Sequence, residues 1–154
     1  MDVFSILLAI HIGSGAICLI AGLAAAAVRK RQGAHTLAGE IYHGAYVGIF
    51  LTSVSMAWLH WEESAYLFFI GCFSYGLALY GYLACKLRRP NWLGKHIGGM
   101  LGSYIGVITA VLVVNGPRIP VLNEIPLLLL WFLPTLIGSP WIAIVGRKYK
   151  KMKS

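Results

Sequence analysis

The chain has 154 residues, 58% of them hydrophobic and only 12% charged, with a mean hydropathy of +0.75. That balance excludes an ordinary soluble domain and points to a membrane protein. The formal net charge of +8 does not indicate nucleic acid, because the basic residues come in short clusters between apolar runs, where the inner-leaflet surface of a membrane accounts for them.

The first apolar run, 4–28, has no basic stretch before it and is too long for the apolar region of a signal peptide, so it reads as a retained span. It carries His11 and Gly15 and is followed by Arg29, Lys30 and Arg31. The second run, 36–60, opens with "AHTLAGEIYHG", which places His35, Glu40 and His43 within nine residues, and it ends at His60. After the short link "WEES", a third run covers 64–86 and closes on Lys86, Arg88 and Arg89. The fourth, 92–115, contains "LGKHIGGMLGSYIGVITA". The fifth, 125–146, has no ionisable residue before Arg147 and carries Pro134 and Pro140, which are expected to kink it.

Each run is long enough for a bilayer core, which needs about 20 helical residues. Backbone groups in lipid must be paired within their own segment, so the runs must be helices. The expected fold is all-α: a single polytopic membrane helical bundle with five transmembrane helices. Cys18, Cys72 and Cys85 lie in or at the end of the runs without a Cys-x-x-Cys pair and read as buried free thiols.

Charge supplies the orientation. With five spans, Arg29, Lys30 and Arg31, then Lys86, Arg88, Arg89 and Lys95, then Arg147, Lys148, Lys150, Lys151 and Lys153 all fall on one side, opposite Arg118 alone. The positive-inside rule makes that side the cytoplasm, with the N-terminus outside and the C-terminus cytoplasmic.

A rise of about 1.5 Å per residue converts position into depth. His11 then lies on the order of 10 Å below the outer surface and His60 at the outer end of the second span. His35, Glu40, His43 and His96 gather in the inner half. Glu40 and His43 are three residues apart and share a helix face, which should point into the bundle, since ionisable groups in the hydrocarbon region face protein or a cavity. In the fourth span Gly94, Gly98, Gly102 and Gly106 recur at intervals of four, a ladder that admits a neighbouring backbone or a flat ligand.

These residues resemble a bacterial integral-membrane family catalogued as domain of unknown function 2306. The likeness rests on His11 with Gly15, on "KRQGAHTLAGEIY" with His35, Gly39 and Tyr42, on "HIGGMLGSYIGVITAVLVVNG" with His96, Met100, Ser103 and Tyr104, and on "LLWFLPTLIGSPWI" near the end. It covers nearly the whole chain. Thr36 stands where that family commonly has a basic residue. The resemblance implies a multi-pass protein of the bacterial cytoplasmic membrane and marks the same histidines, but names no reaction.

Three functions fit the pattern. In the first, the protein binds haem b for quinone-linked electron transfer: His96 pairs with His35 or His43 on the iron, Gly98 and Gly102 make room for the porphyrin edge, and Tyr42 or Tyr104 bonds a propionate or a quinone. In the second, His11, His35, Glu40, His43 and His96 hold a transition metal such as Zn or Cu, or move protons. In the third, the histidines pin helices together in an accessory or assembly protein. Beyond the lipid bilayer, the partners implied are a quinone or a respiratory-chain protein, with a homo-oligomer left open. No catalytic residue is assigned.

Overall fold

The computed structural model describes residues 2–30 and 33–151, with side chains as far as Tyr149. Arg31 and Lys153 of the basic clusters, and the side chains of Lys150 and Lys151, lie outside the described residues. The protein is all-α. Five helices follow in order: α1 (Val3–Ala27), α2 (Ala34–Leu59), α3 (Trp61–Leu87), α4 (Trp92–Asn115) and α5 (Leu127–Lys151), with a 3-10 turn at Gly116–Arg118.

Among the described residues, four helices are long and apolar enough to cross a membrane: α1, α3, α4 and α5. At 26 residues α2 is as long, but its His, Glu, Gly, Ser and Thr residues dilute its apolar character below what those four reach. Pro134 and Pro140 lie inside α5, which runs through both as one helix. Pro90 lies in the α3–α4 turn, between Arg88 (φ 47°) and Asn91 (φ 60°), and α4 begins at Trp92.

The chain divides between Gly76 and Leu77, within α3, into two compact units. In the first, α1 and α2 form an antiparallel hairpin, because Phe4 meets His60, His11 meets Thr52 and Cys18 meets the Tyr42 backbone. The first part of α3 turns back along α2, with Ser53 near Gly71 and Tyr46 bonded to Ser74. One end of this unit carries Arg29 and Lys30. The other carries Asp2, His60, Glu62 and Glu63.

In the second unit the rest of α3 packs on α4 at Gly81 and Gly99. Helix α5 then runs antiparallel to α4, since Leu130 lies against Gly116 and Ile105 against Gly138. The C-terminal end of α5 therefore returns to the α3–α4 turn. Lys86, Arg88, Arg89, Lys95, Arg147 and Lys148 collect at that end, and Arg118 and Glu124 at the other.

Burial is inverted relative to a water-soluble protein. The fully or nearly buried side chains include Cys18, Thr52, Ser74, Ser103 and Thr109, whereas Ile20 is 70% and Phe73 is 71% exposed. Small and weakly polar groups fill many of the helix contacts, beside Tyr42, Tyr46 and Leu130, and most of the large apolar side chains point outward. That is the distribution expected when lipid, rather than water, surrounds the helices.

Candidate functional site

The sequence-predicted residues divide between the units: His11, His35, Glu40, Tyr42 and His43 in the first, and His96, Gly98, Gly102 and Tyr104 in the second.

Helix α1 begins in an N-cap: the Asp2 carboxylate accepts the Ser5 N–H at 2.7 Å. Hydrogen bonds from the side chain and backbone of Ser5 hold the Asp2 carboxyl below its ordinary pKa. At the opposite end, the last turn leaves backbone carbonyls without intrahelical donors. Lys30 Nζ donates to the Ala25 carbonyl at 2.6 Å and also to the Ala26 carbonyl. His35 Nδ1, one residue into α2, reaches the same Ala25 oxygen at 2.9 Å. His35 thus closes the hairpin by completing the cap of α1. Partial burial pushes the Lys30 ammonium pKa below its ordinary value.

His11 lies on α1 with Nδ1 3.0 Å from Thr52 Oγ1. The Thr52 hydroxyl is itself within donating distance of the Gly48 carbonyl at 2.7 Å and the Ile49 carbonyl at 3.0 Å. Its proton is therefore committed to the backbone, so His11 Nδ1–H is the donor toward Thr52. Seventeen residues of α2 separate His35 from Thr52, about 25 Å along the helix. His11 and His35 consequently stand at different levels of the hairpin.

His43 and Glu40 are half-buried on α2. The His43 ring stacks beside Tyr75 with centroids 6.1 Å apart and 24° between planes. Tyr75 also stacks on Phe50 at 4.6 Å and neighbours Tyr46, which meets Tyr42 edge-on at 5.6 Å. Tyr42 is 1% exposed, so its ring belongs to the interior of the first unit. The sequence gives no direct sign of this five-ring cluster, because Tyr75 joins it from another helix.

In the second unit, His96 stands one turn into α4 with Nδ1 3.0 Å from the Gly81 carbonyl on α3. The glycines that let these helices touch are Gly81 and Gly99: a Cβ on Gly99 would lie 2.6 Å from the Gly81 backbone and 2.7 Å from the Leu77 carbonyl. Gly99 is outside the ladder at intervals of four. Of that ladder, Gly102 borders Leu77 at 3.6 Å, while no atom of the unit comes within 4 Å of a Cβ placed on Gly94 or Gly98. Tyr104 is half-buried on the same helix.

Two histidines therefore share one geometry. Nδ1 of His35 and of His96 faces a backbone carbonyl, which can only accept, so each Nδ1 carries the proton. A neutral imidazole in that tautomer has its lone pair on Nε2. Among the described residues, no three His, Cys, Asp or Glu side chains converge on a metal-sized space.

No family model, curated protein or solved structure matches the chain.

Proposed function

We infer that this is a multi-pass protein of a bacterial cytoplasmic membrane with five spans and cytoplasmic basic clusters, and that it binds haem b for quinone-linked electron transfer. Support for the membrane arrangement comes from four apolar helices of spanning length, from the inverted burial, and from the separation of charge along each unit. In the first unit Arg29 and Lys30 stand opposite Asp2, Glu62 and Glu63; in the second the cations gather at the α3–α4 turn. The fifth span is α2, which turns His35 and Thr52 to α1 and His43, Tyr46 and Ser53 to α3. The likeness to the family catalogued as domain of unknown function 2306 belongs to the same proposal.

The observation that carries the haem reading is the Nδ1–H to carbonyl bond made by both His35 and His96. Ligating imidazoles are typically oriented this way: one ring nitrogen is fixed by a carbonyl, and the other has its lone pair for the iron. His35, His43 and His96 are the candidate ligands. Haem would supply one-electron chemistry; the protein would orient its ligands and exclude water. Tyr104, half-buried where Tyr42 is enclosed, suits the bond to a propionate or a quinone. Absorption spectroscopy of protein purified from cells supplied with haem precursor tests the reading. The expected result is a Soret band that is lost or shifted in His96→Ala and in His35→Ala or His43→Ala. A colourless protein overturns it.

A second reading has its own observation: His11, His35 and His96 each direct a ring nitrogen to a neighbouring helix. In an accessory or assembly protein those bonds would be the histidines' whole role. The same preparation separates the two, since that protein would be colourless and lose helix contacts, but no spectrum, upon substitution.

A further inference from the structure

We propose that the cationic end of the second unit binds the headgroup of an anionic phospholipid, with Arg88, Arg89 and Lys95 as its principal contacts. The proposal rests on the membrane reading but not on haem. Between Glu63 and Glu124 the sequence contains no Asp or Glu, while Lys86, Arg88, Arg89 and Lys95 fall within ten residues. The antiparallel course of α5 brings Arg147 and Lys148 to the same end. Glu124, the sole acidic side chain of residues 77–154, follows the far end of α4, a helix of 24 residues and hence about 36 Å long. No acidic side chain of the unit therefore balances this end.

The position selects phospholipid as its source. The turn joins α3 and α4, each long and apolar enough to cross a membrane, which puts it at headgroup level. Aromatic rings of the kind that settle there hold two of the cations: the Arg88 guanidinium lies over Trp92 at 5.7 Å and Lys86 Nζ over Tyr82 at 5.1 Å. A phosphodiester without a choline or ethanolamine ammonium offers uncompensated negative charge at that depth. Each basic group near such a surface strengthens attraction to anionic lipid, and several act together.

Native mass spectrometry of the detergent-solubilised full chain, titrated with phosphatidylglycerol or phosphatidylcholine, tests this. Phosphatidylglycerol adducts should form at a concentration at least about ten-fold lower than phosphatidylcholine adducts. The triple variant R88Q/R89Q/K95Q should lose that preference, and R118Q, at the opposite end, should keep it. If the triple variant fails to retain its helical circular dichroism, Arg89→Gln alone, at an exposed position, should reduce the preference several-fold. Equal uptake of both lipids by the natural chain, or an undiminished preference in the folded variants, overturns the proposal. So does abolition of the preference by millimolar inorganic phosphate at constant ionic strength, which would make the site one for the free ion. The membrane reading fails separately, if the expressed protein is released from membranes by alkaline carbonate.

Discussion

Gly81 and Gly99 meet backbone to backbone, and the Gly81 carbonyl at that crossing also accepts the His96 ring N–H at 3.0 Å. The close approach and the bond depend on each other, since a wider helix separation would carry His96 away from the carbonyl. Gly99→Ala would drive a methyl group into rigid backbone and should destabilise the second unit by about 1–3 kcal/mol. Gly98→Ala, one residue along, places its methyl in open space within the unit and gains helix propensity, so it should be neutral or slightly stabilising. Detergent-denaturation midpoints of the two variants check this contrast; equal losses would show that the crossing is not at Gly99.

Tyr46 is buried and its hydroxyl lies 2.5 Å from that of Ser74. Tyr46→Phe deprives a buried hydroxyl of its partner and should cost about 1–3 kcal/mol. Adding Ser74→Ala should recover part of that loss, because the stranded group is then removed as well. A double-mutant cycle measured by reversible unfolding in mixed micelles reads the coupling, and strict additivity would refute the bond.

The bond between His11 and Thr52 joins α1 to α2 across 41 residues of sequence. Thr52→Val keeps the shape of the side chain but removes the acceptor. It should weaken the hairpin by about 0.6–2 kcal/mol, while Thr52→Ser should retain most of the stability. Thermal unfolding of both variants tests whether the hydroxyl, and not the methyl group, makes the contact.

Asp2 provides a pH-dependent contribution at the start of α1. Because Ser5 lowers its carboxyl pKa in the folded chain, the cap is fully present above the ordinary carboxylate pKa and is lost as pH falls through the lowered value. Hydrogen exchange at the Ser5 amide should therefore accelerate, relative to an Asp2→Asn chain, only in strongly acidic solution. A protection ratio unchanged across that range would contradict the cap.

Much of the helical arrangement was legible because the apolar runs, and the basic clusters between them, mark where helices begin and end. The expected segment 92–115 coincides with α4, and 4–28 differs from Val3–Ala27 by one residue at each end. The α5 boundary was less accessible: basic residues past Gly146 suit the end of a span, yet they continue the helix to Lys151. Within the candidate site, the spacing of Glu40 and His43 makes them legible as neighbours on one face of α2, but the bonding partners of the histidines are not. Position in sequence puts His35 in the inner half with Glu40, His43 and His96, but does not show that its Nδ1 caps α1 at Ala25. A carbonyl has no sequence signature, so such a partner is invisible until the hairpin is built. Gly81 and Gly99 did leave a trace, since they stand nine residues on either side of Pro90. Gly94, Gly98, Gly102 and Gly106 have the more regular spacing, but periodicity alone does not say which stripe faces a neighbour.

The inverted burial has a consequence for how this chain can vary. Leu136 and Ile137, both 66% exposed, present hydrocarbon to hydrocarbon, and one aliphatic side chain there can replace another with little change in contact energy. Ser103, fully buried, and Gly99 occupy spaces measured in single atoms. Sequences sharing this architecture should drift most freely in their greasiest residues and hold firmest to their smallest, so the fold's memory resides in the side chains that contribute least to hydrophobicity.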